Sequence, residues 1–518
     1  MPTEAIEEIE RKRAQLKAFE DDEFRKAGGF GRFQISANLI IIFGILSGSQ
    51  VLYNLWYFQM RPLYECQNAG ESKFYQCKRE EFCGNQNINW RVDYTKEESL
   101  NNWVQQLDLH CIGDNELGFI GSSFFIGAFI GSIIIPRLAD IYGRKKPYMF
   151  GLILYALTSL IYPFSTSLYL NYFLIFLGGI SEAGRYYVGF VYLQELMPTT
   201  HQTYVGINIF MAHGFAKLCY DLYFYQITKN WVYLNYSAIV MAFTCIICMQ
   251  FMPESPRYLL SSNQKEEAEK SFETIAKFNR VSRQRRVVDL LGYNMHDQKQ
   301  RLLGDDEKDK DVLLQQEKKI GDVKKVESVK KLFQETSYLV NLLIMIFSWS
   351  TASFGFYLIP YFLSSINTQL QSNSYNVFEL AIASSISEIF ANIFCYFITT
   401  IFPNKKSLIF SYLLAFFGSA GFWIAKDTVL RSSNILYYVL FSKFGVTVAF
   451  NVTYVIMGEL FPTLLKATAF GICNVIARFI TILSPIIALL EQPYPMLIFS
   501  LSCLIAGLFG ILLKPLYH

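Results

Sequence analysis

Charge is what this 518-residue chain is short of. Asp, Glu, Lys and Arg make up 17% of it, against about 25% in soluble domains. It also lacks an excess of either sign, because 46 basic residues face 43 acidic ones for a net of +3. That balance excludes a nucleic-acid binder driven by bulk charge and an acidic disordered chain. Missing too are a Walker loop, a metal-ligand cluster and a nucleophile elbow, so no enzyme, cofactor or metal is expected. Residues 4–26 are rich in acids, among them Glu7, Glu8, Glu10, Asp21, Asp22 and Glu23. Mitochondrial leaders are poor in acids. We expect no cleavable signal there, but a charged helix on the cytoplasmic surface.

Apolar residues are abundant instead, at 52%, with 16% aromatic. They fall in blocks of about 20, enough to cross about 30 Å of hydrocarbon. Twelve blocks can be marked, at 36–58, 116–138, 147–165, 168–194, 203–226, 232–252, 337–363, 376–400, 407–425, 435–458, 467–490 and 494–513. Without water to bond their backbones, they should be helices. The expected order is a cytoplasmic segment 1–35, six helices over 36–252 and a linker 253–336, then six more over 337–518. The first six include an outer loop at 59–115. Short loops place Arg144, Lys145, Lys146, Lys405, Lys406, Lys466 and Lys514 on one side. By the positive-inside rule that side is cytoplasmic and holds both termini.

Four of the ten cysteines, Cys66, Cys77, Cys83 and Cys111, lie in the outer loop. An even number in a non-cytosolic loop points to two disulfides, with three pairings open. Cys245 and Cys248 lie in mid-span and read as packing. Asn235-Tyr236-Ser237 is a sequon at an outer helix end, while Asn451-Val452-Thr453 should be silent inside a span. In the linker, 262–290 is expected to form amphipathic helices and 296–330 to be flexible. Arg280, Arg283, Arg285 and Arg286 form either a contact with anionic lipid or a solvated face.

The chain repeats itself. Glu195-Leu196-Met197-Pro198-Thr199 ends the fourth block, and Glu459-Leu460-Phe461-Pro462-Thr463 ends the tenth. The same offset of 264 residues carries Asp140 onto Asn404. Two parallel six-helix halves explain this, a pattern of secondary transporters whose site lies between the halves.

One stretch is more specific. Gly131, Pro136, Arg137, Asp140, Gly143, Arg144, Lys145 and Lys146 form a loop that resembles the signature between the second and third helices of the major facilitator superfamily. Its physics is legible. Gly131 allows close helix contact, Gly143 a tight turn, and Asp140 can pair with Arg144 or cap a helix end. Ile141 stands where the superfamily usually has a base. Pro253-Glu254-Ser255-Pro256-Arg257 is similar to the motif after the sixth helix of sugar porters and organic ion transporters. Further matches are Phe30–Gln34, the outer cysteine loop ending in Asp108-Leu109-His110-Cys111, Trp349, Phe354–Tyr357, Glu388, Lys466, Gly471, Arg478 and Ser484-Pro485. Together they resemble the organic cation, anion and carnitine transporter family over nearly the whole chain.

The resemblance implies an all-α fold of twelve transmembrane helices in two pseudo-symmetric halves. It also implies transport of small organic ions by alternating access. It places Arg478 and Glu388 at a central cavity, and in relatives a base at the Arg478 position goes with organic anions or zwitterions. A charge in a span costs about 2.5–3.5 kcal/mol and needs a reason. Glu182 and Arg185 share a face, as do His213, Lys217 and Asp221, and structural pairing is an equal reading for Glu182–Arg185 and Lys217–Asp221. Candidate substrate residues are therefore Arg478, Glu388, Arg185, Tyr186, Lys217, Trp349, Phe354 and Tyr357, with Tyr187 and Phe356 as further cavity aromatics. Asp140, Arg144, Glu195, Arg257 and Glu459 are expected to form a gating network that favours the outward-facing state.

The first block contains no acid, which argues for facilitated diffusion or exchange, with Na⁺ coupling left open. Expected partners are a small organic ion and membrane lipid, with the chain a monomer in the plasma membrane or an internal one. Two rivals stand beside this reading. One is a sugar porter. The other is a non-transporting subunit or sensor, whose support is the decayed second loop, Phe402-Pro403-Asn404-Lys405-Lys406.

Overall fold

Each apolar block folds as a helix, so its peptide groups bond within the segment. The computed structural model describes residues 18–85, 87–282, 333–370, 376–424, 435–461 and 463–514. The first six helices are α1 (Arg32–Gln59), α2 (Asp114–Tyr142), α3 (Lys145–Ile161), α4 (Leu168–Glu182, Ala183–Val188 and Gly189–Glu195), α5 (Thr199–Leu222 and Tyr223–Ile227) and α6 (Trp231–Met249). The last six are α7 (Thr336–Leu370), α8 (Val377–Ile401), α9 (Asn404–Ile424), α10 (Ile435–Leu460), α11 (Thr463–Thr481, extended by Ser484–Ile487) and α12 (Tyr494–Leu512). Ten of these are long and apolar enough to cross a membrane. The other two, α4 and α5, bury five acidic or basic residues between them: Glu182, Arg185, His213, Lys217 and Asp221. The fold class expected from the sequence is the one observed.

The two six-helix groups meet along two seams, α2 against α11 and α5 against α8. Small residues set the closest approaches. A Cβ on Gly127 of α2 would collide with the Phe176 carbonyl of α4, and one on Gly179 with the Phe124 carbonyl. Gly131 is similarly tight, with a Cβ 3.0 Å from that of Ala183. Gly143 ends α2 at φ +92°, a conformation that favours glycine. Cys245 is buried packing, with Sγ 3.4 Å from the Tyr148 hydroxyl.

The loop after α1 holds three strands that the hydrophobic blocks do not announce. They are β1 (Tyr64–Asn68), β2 (Tyr75–Cys77) and β3 (Ile88–Val92), antiparallel in the order β2-β1-β3. Strands this short need bracing. Cys66–Cys77 ties β1 to β2, and Cys83–Cys111 ties the loop to the start of α2. Tyr64, Trp90 and His110 pack edge to face beneath them. The Asn102 amide donates to the Tyr57 and Met60 carbonyls at 2.7 Å and sews the sheet onto the end of α1.

The opposite end of the bundle carries the first and last described residues, 18 and 514. A helix over 18–26 is clamped there by Arg257, which donates to Glu20 at 2.7 Å and Asp21 at 3.2 Å. Asn279 accepts from the Phe33 amide and donates to the Ala27 carbonyl, both at 2.8 Å. The amphipathic segment of the linker is a helix at Lys265–Phe278, which buries Ala268, Phe272, Ile275 and Ala276. Arg283, Arg285, Arg286 and 296–330 lie outside the described residues. Asn235 corrects an expectation. It is fully buried and its amide donates to the Ser159 carbonyl at 2.9 Å, so this sequon has no accessible acceptor.

The pairing in the outer loop is directly testable. Peptide mapping without reduction should recover Cys66 linked to Cys77 and Cys83 linked to Cys111. Replacing Cys83 and Cys111 together with Ser should cost the loop about 2–5 kcal/mol, seen as faster proteolysis between β2 and α2; unchanged proteolysis would mean the bridge carries no stability.

Candidate functional site

A small cavity of about 50 Å³ lies between the two six-helix groups. Its walls come from α1, α2, α4 and α5 on one side and α7, α8, α10 and α11 on the other. Aromatic rings dominate: Tyr53, Phe124, Phe125, Tyr186, Tyr187, Phe210, Phe356, Tyr357, Phe450 and Tyr454. A wider turn at Ala183–Val188 in α4, a π segment, lets the consecutive Tyr186 and Tyr187 both reach the cavity. Into these rings project Glu182, His213, Glu388, Asn392, Asn451 and Arg478. A smaller chamber adjoins it, shares Tyr53, Tyr357 and Glu388, and adds Lys217 and Lys443.

The charges sort into two kinds. Glu182 is paired, because Arg185 donates to it at 2.7 Å with both side chains buried. Arg185 also donates to the Ile45 carbonyl at 3.3 Å and lies 4.6 Å from the Tyr155 ring centre. Gly48 makes room for its guanidinium, since a Cβ there would collide with it. Arg185 is therefore turned into the first six helices and does not line the cavity. Glu388 is doubly paired and not lone: Lys443 is 3.2 Å and Lys217 3.7 Å from its Oε2. Lys443 further donates to the Phe356 carbonyl at 3.2 Å and lies 3.5 Å from that ring's centre. Asp221 accepts from the hydroxyls of Tyr57, at 2.9 Å, and Ser385, at 2.5 Å, so Lys217 pairs across to α8 and not along α5 to Asp221.

Arg478 is of the other kind. Among the described residues it has no carboxylate within 4 Å. Its Nη1 donates to the Tyr357 hydroxyl at 3.4 Å, and its guanidinium lies 5.4 Å from the Tyr187 ring centre. It is 8% exposed. Among the described residues, and with His213 neutral, the buried charged side chains of the spans are four bases (Arg185, Lys217, Lys443, Arg478) facing three acids (Glu182, Asp221, Glu388). The site carries one unmatched positive charge, and Arg478 is where it sits.

Of the remaining sequence candidates, Tyr186, Tyr187, Phe356 and Tyr357 line the cavity. Trp349 and Phe354 do not. Trp349 stands edge-on to Tyr454 and Phe470 at 4.6 and 4.8 Å, behind the wall. The Phe354 carbonyl accepts from Ser484 at 3.2 Å, packing α7 on α11. Lys443 was missed, although a base in an apolar block is visible to inspection. Tyr53, Asn392 and Asn451 were missed too. The last two hydrogen-bond each other at 2.7 Å.

The network at the end bearing residues 18 and 514 is local. Arg144 donates to Asp140 at 2.6 Å and reaches both carboxylate oxygens of Glu195. Glu254 caps α3 by accepting from the amides of Arg144 and Lys145, and Arg257 turns to the 18–26 helix. Glu254 and Arg257 therefore do not pair with each other. In the repeat, Glu459 accepts from the Asn404 amide at 2.6 Å. No ion pair described for these five residues crosses to the last six helices, and those of Arg257 go to the 18–26 helix.

The sheet-bearing end is closed across the two groups. Phe378 of α8 stacks on Tyr57 of α1 at 5.7 Å, and Lys229 lies 3.8 Å from its ring centre. Tyr225 donates to Glu379 at 3.4 Å, and Asn376 donates to Glu97 of the outer loop.

A cavity between two six-helix groups, walled by matching helices of each, is the architecture of a membrane transporter. The chain belongs to the Major Facilitator Superfamily, whose family model matches residues 99–485. It is a multi-pass integral membrane protein. Solute carrier family 22 member 4 from Mus musculus is 24% identical over 427 residues, 81% of this chain and 70% of that relative. Organic cation/carnitine transporter 2 from Rattus norvegicus is 27% identical over 402 residues, 76% of this chain. That match spans 65% of the relative's length, just under two thirds. Organic cation/carnitine transporter 3 from Arabidopsis thaliana is 24% identical over 499 residues, 96% of this chain and 90% of that one. In fold, the chain is similar to the partially occluded inward open conformation of the xylose transporter XylE from E. coli. The TM-score is 0.61 at 14% identity, over 94% of this chain and 99% of that one.

The closure at Phe378 has a measurable consequence. Each aromatic contact is worth about 0.5–1.5 kcal/mol beyond burial, so Phe378→Ala should favour opening at the sheet-bearing end about tenfold. A Thr447→Cys reporter in the cavity should then react correspondingly faster with a membrane-impermeant thiol reagent from that face. An unchanged rate would place the seal elsewhere.

Proposed function

We propose that this protein carries small organic ions bearing a carboxylate, organic anions or carnitine-like zwitterions, across a membrane by alternating access. The observation that carries this reading is Arg478. The acids lining the cavity, Glu182 and Glu388, each have their own base, and Arg478 has none to spare it from solvent loss. A guanidinium held in a low-dielectric site favours a ligand that accepts two parallel hydrogen bonds, which a carboxylate does. The Tyr357 and Tyr187 phenols beside it offer further polar contact to the same group. The rings of Tyr53, Tyr186, Phe356 and Phe450 suit the other end of the ligand, through stacking or, for a quaternary ammonium, cation–π attraction. A hexose would leave the Arg478 charge unmatched, which argues against the sugar-porter reading. The names of the relatives from Rattus norvegicus and Arabidopsis thaliana mention both organic cations and carnitine, and carnitine is a zwitterion. We place the sheet-bearing end outside and the end bearing residues 18 and 514 in the cytoplasm, because the loop bases lie at the latter. Disulfides between β1, β2 and α2 accord with an oxidising compartment at the former. The plasma membrane fits this best.

In proteoliposomes the wild type should take up carnitine or p-aminohippurate. Arg478→Ala should lower uptake at limiting substrate by about 100-fold, the loss of a charge-assisted bidentate contact worth about 3 kcal/mol. Arg478→Lys should rescue only part of it, because the planar fork is gone. A correctly inserted Ala variant that carries both probes at the wild-type rate would overturn the reading.

A further inference from the structure

His213 lines the cavity, yet nothing in the ion-pair scheme uses it. Its surroundings are built for a ring that changes charge. Nε2 lies 3.3 Å from the Ser49 hydroxyl, and Nδ1 lies 3.3 Å from the Tyr53 hydroxyl. A hydroxyl both donates and accepts, so each can turn to suit the nitrogen it faces. A neutral imidazole donates to one and accepts from the other. An imidazolium donates to both, with no movement of heavy atoms. The ring face stacks on Tyr186 at 5.1 Å, and an aromatic face attracts a cation.

Most of the charges near that ring are paired with one another. From α1, only the hydroxyls of Ser49 and Tyr53 face the ring. From α4 come Tyr186 and the Glu182–Arg185 pair, whose charges cancel. On α5 itself Lys217 is one turn away, paired to Glu388 of α8. Glu388 and Arg478 share the cavity wall with His213.

We propose that His213 is a proton-binding site that couples substrate entry to proton entry. This rests on the reading that the substrate carries a carboxylate. The cavity holds one excess positive charge when His213 is neutral. A proton on His213 and a carboxylate at Arg478 add charges of opposite sign, so the loaded cavity has the same net charge as the empty one. Either ion alone would change it, and an unbalanced charge is costly in a cavity closed to water. The proton enters from water on the outer side onto a ring nitrogen and leaves to water on the inner side. No covalent bond other than that N–H forms or breaks. The first helix, which has no acid, then needs none.

The test uses proteoliposomes loaded with a pH-sensitive dye, with the voltage clamped by potassium and valinomycin. Wild-type protein should admit one proton with each p-aminohippurate, whose single negative charge the proton balances. An outward-acid gradient of two pH units should drive accumulation of about 100-fold, since each unit is worth a factor of ten. Any substrate counterflow by His213→Gln, at whatever rate, shows that the variant folds and binds. It should lose proton entry, and its accumulation should fall to equilibration. Absence of proton entry with the wild type during uptake, or gradient-driven accumulation by His213→Gln, would overturn the proposal. If protons enter with a substrate that has no carboxylate, His213 stands as the coupling site and the anion reading falls instead.

Discussion

Everything in the interior answers one constraint: a charge in a medium that cannot hydrate it must be met by another charge, a hydrogen bond or a ligand. Among the described residues the spans bury seven charged side chains, and six have a partner fixed within the protein. Glu182 and Arg185 satisfy each other on α4. Glu388 gathers Lys217 and Lys443 from two other helices, and Asp221 is held by the hydroxyls of Tyr57 and Ser385. The seventh, Arg478, is supported by a phenol and one aromatic face. The same force that makes the first six structural makes the seventh receptive.

Placement follows from helix geometry. Residues 213, 217 and 221 recur every four positions on α5, and that stripe is the face packed on α8 and α1. Gly214, beside the stripe, lets α8 come near, since a Cβ there would lie 3.2 Å from Ile389. On α4 the π segment turns Arg185 inward toward α1 while Tyr186 and Tyr187 face the cavity. Polar spans are weaker as membrane segments but are the ones that line the path. This is why α4 and α5, set apart from the other ten by hydropathy and regularity, carry five of the ionisable groups.

Ten of the twelve helices were legible because each is a long apolar run that hydropathy marks, whereas α4 and α5 are more polar and showed only as less continuous apolar blocks. The signature loop was legible because its glycines and charges are local. Arg478 and Glu388 were found through family resemblance, with the cost of burying charge as the reason to look. Which base meets which acid was not legible. Lys217 lies one turn from Asp221 and 171 residues from Glu388, and only the crossing of α5 over α8 makes the distant partner the near one. The same holds for Trp349 and Phe354: helical spacing does not say which side of α7 faces the cavity. The small sheet was hidden because its strands are short and polar, and it owes its form to two disulfides and a few rings.

The two seams between the six-helix groups differ in kind, and that difference bears on how the molecule can move. Along α2 and α11 the contact is apolar and close. Gly118 and Gly121 lie against Pro485 and Leu489, and one hydroxyl, Ser122, donates to the Ile482 carbonyl at 2.7 Å. Sliding there trades one van der Waals contact for another and uncovers no charge. Along α5 and α8 the contact is ionic: Lys217 to Glu388 and Asp221 to Ser385, capped by Phe378 on Tyr57. Separation there leaves Lys217 without its carboxylate unless water enters. Glu388, however, keeps Lys443, which travels with it in the last six helices. One acid thus has two bases, one bound to each side of the moving boundary. The pairing lets the seam open without stranding the acid, and hydration of the opened chamber accommodates the base. An apolar pivot opposite a charged, hydratable edge gives rotation a preferred direction, opening the cavity on the side where water can replace what the protein gives up.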